Sequence, residues 1–343
     1  MATISSLPNE LLIAIFTYFA ADIGAGRVTT TLSLVCKFFH GLIQSHGIDV
    51  LYTLLRGMGS MHKFLRFLRN RDVAQRRVYS LLLVVARNVD NNPVSNVAVL
   101  SIIQSILSTI DPSSLHTLFI RVSLPSNDET PVLQFSVPLP SLTDLHLSGL
   151  VAISHSAHAP HTPNLTRLQL SRLYELPKEH GDDFPRLIHN LAPNLTRLKL
   201  TIRTSQLTEL RPVTEFLLAV KSYLADPEAR RDPARIRRAA HAFPNSLEQI
   251  VACLVYDRNQ ALAAPYLSRL KKASDAIAEA SLLRGEIEAL VVVLPQDGQQ
   301  DYVPPRSEVD RGEVVYLEGF VRSWMALNVG QQEPWYTAEL TQY

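Results

Sequence analysis

The chain has 343 residues, of which 46% are hydrophobic, and its formal net charge is +1 at pH 7. It is long enough for a small and a larger domain, each with a hydrophobic core. The balanced charge gives no electrostatic indication of binding to nucleic acid or to an anionic membrane. Cys36 and Cys253 lie far apart and outside any metal-ligand spacing, which favours a reducing compartment.

No targeting or membrane segment is indicated. The apolar run at residues 11–16 follows Glu10 and lacks the basic leader of a signal peptide. Further apolar runs, at 81–86 and 289–294, are much shorter than the roughly 20 residues of a membrane span. We therefore expect a soluble intracellular protein, cytoplasmic or nuclear, that has no contact with a membrane.

Two amphipathic helical patterns occupy the first 45 residues. In the first pattern Leu11, Ile15 and Phe19 lie four residues apart, beside a second stripe of Leu12 and Phe16. The second pattern has six apolar residues at helical spacing, namely Leu34, Val35, Phe38, Phe39, Leu42 and Ile43. So short a segment cannot bury this much apolar surface within itself. Either the rest of the chain or a partner has to cover it.

These helices resemble the F-box, the adaptor-binding module of SCF-type ubiquitin ligases. The residues that carry the resemblance are Leu7-Pro8 at the start of a helix, Glu10-Leu11-Leu12, Ile15-Phe16 and Leu34-Val35-Cys36-Lys37. The intervening stretch at 19–31 is longer than is usual in the family and contains glycines. The alternative is that these are core helices of a larger domain.

The resemblance implies a three-helix F-box over residues 1–48, followed by a helical linker at 49–75. This F-box would bind a Skp-type adaptor and, through it, cullin and a RING subunit. The residues it assigns to adaptor binding are Leu7, Pro8, Leu11, Leu12, Ile15, Phe16, Leu34, Val35 and Cys36. The resemblance places Phe38, Phe39 and Leu42 inside the module, and we expect Cys36 to be a small buried hydrophobe without a nucleophilic role.

A leucine-rich heptapeptide recurs later in the chain. Residues 164–170 and 194–200 are nearly identical in sequence, and each follows a proline. Further copies and weaker echoes of the Leu-x-x-Leu-x-Leu spacing lie at 114–120, 141–147, 78–83, 247–252 and 287–292. The spacing resembles that of leucine-rich repeats. It predicts short strands whose leucines point inward while the interleaved polar residues face outward.

The repeat resemblance implies an irregular leucine-rich-repeat-like α/β solenoid over residues 76–343. Helical patterns lie at 94–107, 215–224, 263–283 and around 320–327. The family's asparagine, three residues after the last strand leucine, is replaced by Leu150, Leu173 and Arg203. We therefore expect that no asparagine ladder hydrogen-bonds the turns. The alternative is an α/β domain with a few similar leucine-rich strands.

Two polar motifs fall outside these patterns. His155, His158 and His161 have a spacing that could place three imidazoles around one metal ion, or they belong to a solvated loop. The arginine-rich segment at 226–241 is either a basic patch for an acidic or phosphorylated partner, or an exposed insertion. We favour the loop and the insertion, and we expect no metal site. We do not favour nucleic acid as a partner, because no aromatic residues interleave the arginines.

No catalytic motif indicates an enzyme. The chain lacks Gly-x-Ser-x-Gly, the P-loop pattern and His-Glu-x-x-His, so we expect no cofactor and no bond-making role. The F-box resemblance implies a substrate-recognition subunit of an SCF ligase, whose repeats bind an unknown target protein. The alternatives are an F-box scaffold that acts outside ubiquitin ligation, and a free-standing repeat protein whose first helices bind no adaptor.

Overall fold

The computed structural model describes residues 7–23, 31–85, 95–122, 131–154, 161–173, 184–204, 244, 246–247, 249–256, 291–295 and 306–331. The chain divides into two compact units. The first unit consists of Met1–Val85, Ser105–Phe119 and Gln299–Tyr343, and the second of Ala86–Gln104 and Ile120–Gly298. Within the described ranges, none of the helices combines the length and the hydrophobicity that a membrane span requires.

Helices and parallel strands make up the fold. The helices are α1 (Asn9–Ile23), α2 (Lys37–Ser45), α3 (Gly57–Arg69), α4 (Asn96–Thr109), α5 (Phe184–Leu191) and α6 (Arg306–Asn328). The strands are β1 (Tyr52–Arg56), β2 (Ser80–Val85), β3 (Thr117–Val122), β4 (Val132–Phe135), β5 (Asp144–Ser148), β6 (Val151–Ser154), β7 (Arg167–Leu173), β8 (Arg197–Thr204), β9 (Gln249–Tyr256) and β10 (Val291–Pro295). The protein is therefore α/β with a mostly parallel sheet, as the sequence predicts at that level.

In the first unit, β1 and β2 pair in parallel and α3 packs against both. Every residue of β2 is buried, which is typical of a strand covered on both faces. The inward side chains of α3 are Met61, Phe64, Leu65 and Leu68, spaced three and four residues apart. The stretch at 49–75, for which the sequence predicts a helical linker, thus contains β1 as well as α3.

The sheet of the second unit follows chain order. Its strands lie in the sequence β5, β7, β8, β9 and β10, and all the neighbours pair in parallel. The register aligns the repeated leucines across three strands, in the rows Leu145–Leu168–Leu198 and Leu147–Leu170–Leu200. All six of these leucines are buried, which confirms the predicted inward direction.

An asparagine ladder joins consecutive repeats at the beginning of the strands. Asn164 Nδ2 donates to the Pro140 carbonyl at 2.7 Å, and Asn194 Nδ2 donates to the Pro163 carbonyl at 2.8 Å. The threonine hydroxyl two residues further along each motif donates to the preceding repeat in the same way, at 3.2 and 3.0 Å. The Pro-Asn-Leu-Thr motif thus bonds these repeats to the ones before them. The expectation that no asparagine ladder hydrogen-bonds the turns was wrong, because the asparagine lies before the strand.

Among the described residues, no solenoid is formed. The connection from β5 to β7 passes through β6, which pairs with β4 in a separate two-stranded sheet. The connection from β7 to β8 passes instead through α5. A solenoid needs the same return path in every repeat so that each unit can stack on the last, and these two returns differ.

The predicted helices have different outcomes. The pattern at 94–107 corresponds to α4, and the pattern around 320–327 lies within α6. Those at 215–224 and 263–283 lie outside the described residues.

Candidate functional site

Helix α1 carries two apolar stripes on different faces. Leu12 and Phe16 have exposed fractions of 0% and 1%, and both belong to the core of the first unit. Leu11 and Ile15 each precede one of these residues, and together with Tyr18 they form what we call the outer stripe; the three are 52%, 46% and 76% exposed. Successive helical residues point about 100° apart, so this offset separates the two stripes. One stripe is therefore structural, and the other is open to solvent.

Pro8 sets the beginning of α1. Its carbonyl accepts hydrogen bonds from the amides of Leu11 and Leu12, at 3.1 and 3.2 Å. A proline is tolerated at this end because the first helical amides have no intrahelical acceptor. Glu10 lies in the first turn, where its carboxylate is near the positive end of the helix dipole.

Cys36 is an exposed helix cap. It precedes α2 with an extended backbone, and its Sγ accepts the Phe39 amide at 3.5 Å. The expectation of a buried hydrophobe at Cys36 was therefore wrong, because the N-cap position turns its side chain toward the helix end. Leu34 and Val35, just before it, are 76% and 64% exposed.

Helix α2 also separates inward from outward residues. Phe39 and Leu42 are buried, as expected, together with Ile43. Phe38, in contrast, is 45% exposed, so the expectation that it packs inside the module was wrong. The helix turns about 100° per residue, which places Phe38 away from the face that Phe39 buries.

The inward face of α1 is covered by the chain's own last described helix. Phe320, Val321 and Trp324 of α6 belong to the same buried cluster as Leu12 and Phe16. Trp324 is only 1% exposed. The covering is one-sided, because the residues of the outer stripe remain exposed. The chain thus seals one half of the apolar surface of its first helices and leaves the other half open.

The nine residues assigned to adaptor binding therefore divide into two groups. Seven of them are exposed, namely Leu7, Pro8, Leu11, Ile15, Leu34, Val35 and Cys36. The structure places Leu12 and Phe16 in the core, where no partner can contact them while the unit is folded. Tyr18 and Phe38 are exposed beside the first group, and the sequence reasoning left both out of the set. The position of Tyr18 beside Leu11 and Ile15 follows from helical spacing.

A buried polar row lies in the second unit. Asp144, His146 and Lys199 are at most 7% exposed, so the expected outward direction of the interleaved polar residues was wrong here. Arg167 Nη2 donates to Asp144 Oδ2 at 2.8 Å, and this ion pair compensates the charge of the buried carboxylate. Burial, together with the neighbouring positive charges of Lys199 and Arg167, lowers the pKa of His146 to about 3.

The buried row does not form a recognisable catalytic arrangement. His146 is neutral over the physiological range because of its low pKa, and the Asp144 carboxylate is held by Arg167. The cationic neighbours of His146 stabilise its neutral form, which is the reverse of a histidine poised to accept a proton near pH 7. We interpret these residues as part of the structure of the sheet.

The remaining candidate motifs are barely represented in the described part of the chain. His155 and His158 lie outside it, as does the arginine-rich segment at 226–241, whereas His161 lies inside. The described residues contain no group of three metal-ligating side chains that could hold an ion.

Comparisons with known proteins supply no relative. No family model, no curated protein and no solved structure matches this chain. The exposed stripe of α1 and the resemblance of its residues to the F-box are therefore the features that bear on function.

Proposed function

We propose that this chain is an F-box-type substrate receptor of an SCF ubiquitin ligase. The observation that carries the proposal is the exposed apolar stripe of Leu11 and Ile15 on α1, with Leu34 and Val35 before α2. The F-box resemblance assigns these same positions to adaptor binding. A folded chain gains stability by burying large apolar side chains, so a group left open on two neighbouring helices is typical of a protein interface.

The exposed hydrophobic residues are concentrated in the first helices, which supports an interface there. Of the thirteen large hydrophobic side chains exposed in the described ranges, seven fall between residues 7 and 38. Single exposed hydrophobic residues are common on any surface, but such a cluster is not. Burying each of them against a partner would contribute about 1.5–3 kcal/mol. A few such contacts are comparable with the roughly 8 kcal/mol of a micromolar complex.

We further propose that the strands of the second unit belong to a leucine-rich-repeat-like domain that holds a target protein. The aligned leucine rows and the Asn–Pro ladder support this assignment, because they repeat the same contacts from strand to strand. In this arrangement the receptor performs no bond chemistry itself. It raises the concentration of a target lysine near the ubiquitin-charged enzyme, which the adaptor and cullin bring to the same complex.

Co-purification with a Skp-type adaptor tests the proposal. We expect the intact chain to retain the adaptor, then to recruit cullin, and to support ubiquitylation of a captured protein in vitro. Adaptor binding without cullin recruitment would favour an F-box scaffold that acts outside ubiquitin ligation. Absence of adaptor binding would favour a free-standing repeat protein and would overturn the assignment of the stripe.

A further inference from the structure

A cationic surface covers the solvent face of α3 and the turn after it. Residues 56–77 contain seven lysine or arginine residues and a single acidic residue, Asp72, although the whole chain has a net charge of only +1. The five exposed cations are Arg56, Lys63, Arg66, Arg69 and Arg77, and we call this set the α3 cationic face. The overall composition does not reveal this positive charge, because acidic residues elsewhere in the chain offset it.

Two of the seven cations have structural partners. Arg71 Nη1 donates to Asp49 Oδ1 at 2.9 Å, and its guanidinium lies 4.2 Å from the centre of the Phe67 ring. Arg76 donates from Nη2 to the Arg71 carbonyl at 2.7 Å, just after the end of α3. These contacts hold the turn together. In contrast, no carboxylate within the described ranges forms an ion pair with any residue of the α3 cationic face.

Helix stability explains only part of the α3 cationic face. Arg66 and Arg69 lie in the last turn, where positive charge is favoured by the helix dipole. Arg56 is at the opposite end, at the N-cap, where positive charge is disfavoured. The pairs at three-residue spacing, Lys63 with Arg66 and Arg66 with Arg69, repel each other along the helix. A surface that weakens its own helix is better explained by a ligand than by folding.

We propose that the α3 cationic face binds a carboxylate-rich segment of a partner protein. The row from Arg56 to Arg69 extends about 20 Å along the helix, which suits charges repeated along a peptide better than one phosphate group. Arginine supplies four of the five exposed cations, and its planar guanidinium pairs with carboxylates through two hydrogen bonds. Membrane attraction, in contrast, makes no such distinction between lysine and arginine.

Single-stranded nucleic acid fits the α3 cationic face less well. Stacking of bases needs open aromatic faces between the cations. Phe67 is the aromatic residue exposed on α3, at 41%, and one face of its ring is already taken by Arg71.

The proposal deepens the proposed function, because on that account the acidic segment belongs to the target protein. Its test nevertheless needs no adaptor, so the two proposals can fail separately.

Binding of a labelled peptide to the full chain tests the proposal. The probe is a fluorescein-labelled peptide of twelve glutamates, titrated at 50 mM and 300 mM salt and followed by fluorescence anisotropy. We expect saturable binding that weakens at the higher salt and falls about tenfold in the K63Q/R66Q/R69Q variant. The matched control is K37Q/R322Q, which removes two exposed cations of the same unit from α2 and α6 and should bind as the unchanged chain does.

Two further probes distinguish other anions from a carboxylate row. They are a twelve-nucleotide uridine RNA and a neutral peptide with one phosphoserine. Tighter binding of either probe than of the glutamate peptide would overturn the proposal, as would equal loss of glutamate-peptide binding in the control variant. Absence of any binding to the glutamate peptide at 50 mM salt would overturn it as well. Circular dichroism melting of each variant establishes that the fold is retained.

Discussion

The rings of Phe16 and Phe39 meet edge to face, with their centroids 5.0 Å apart. This contact joins α1 to α2 and fixes which stripe of α1 points inward. Because Phe16 is turned toward Phe39, Leu11 and Ile15 are left on the outer side. The residues that resemble the F-box therefore fall into a buried group and an exposed group, and substitutions can distinguish them.

Replacing Phe16 by alanine should destabilise the first unit. The side chain is 1% exposed and lies in the cluster that includes Phe39 and Trp324, so truncation leaves a cavity. We expect a loss of about 3–5 kcal/mol in the free energy of unfolding, measured by urea denaturation. A stability equal to that of the unchanged chain would contradict the core assignment of Phe16.

Helix α6 should be needed for the fold of the first helices. We expect Trp324→Ala to lower the free energy of unfolding by about 3–5 kcal/mol, because this side chain fills the core beside Phe16. Trp324→Phe is the matched control. The Trp324 Nε1 atom has no hydrogen-bond partner in the described part of the chain, so the phenyl ring should restore most of the stability. Equal losses in both variants would contradict the expectation that an aromatic ring filling this space is enough for stability.

Gly149 should be irreplaceable at the turn between β5 and β6. Its φ is +75°, and an added Cβ would lie 2.2 Å from the Val122 carbonyl oxygen. The control is Gly57→Ala, where φ is +77° but nothing lies within 4 Å of the added atom. We expect about 1–2 kcal/mol of destabilisation for Gly57→Ala, from the left-handed backbone alone, and clearly more for Gly149→Ala. Thermal or urea unfolding of the two variants measures the difference.

The buried His146 predicts a loss of stability in acid. Its pKa is about 3 in the folded chain, against an ordinary value of 6.5, so below pH 6.5 the unfolded chain binds a proton that the folded chain does not. The free energy of unfolding should therefore fall as the pH drops from 6.5 toward 3. Between pH 7 and pH 5 this one group accounts for about 2 kcal/mol. Urea unfolding at pH 7 and pH 5 measures the loss of stability between the two pH values. We expect that loss to be about 2 kcal/mol smaller in His146→Gln than in the unchanged chain.

The sequence predicted secondary structure well where its apolar residues followed either strand or helical spacing throughout a segment. The leucine heptapeptides correspond to strands of the mostly parallel sheet. The helical patterns at 94–107 and around 320–327 correspond to α4 and α6. The Asn–Pro ladder was missed, although its signal was visible. Asn164 and Asn194 each follow a proline and occupy the same place in the motif. The family pattern predicts an asparagine after the strand, whereas the asparagines that form the ladder precede it.

Residue contacts across the chain could not be predicted in the same way. Helical spacing separates the stripe of Leu11 from that of Leu12, but spacing does not indicate which stripe another segment covers. The answer depends on α6, about 300 residues later in the chain. The burial of His146 could not be predicted for the same reason. Strand alternation defines two faces of a sheet, but it does not indicate which face is open to solvent.

The affinity of the chain for a Skp-type adaptor tests the central claim most directly. We would measure it by titration calorimetry for the unchanged chain, for L11S/I15S, and for V97S, which removes a 75% exposed valine of the second unit. Loss of both outer-stripe contacts should cost roughly 3 kcal/mol or more, about a hundredfold in Kd, with no change in melting temperature. V97S should bind as the unchanged chain does. Equal affinity for all three proteins, or no binding by the unchanged chain, would contradict the claim that the outer stripe of α1 is an adaptor-binding surface.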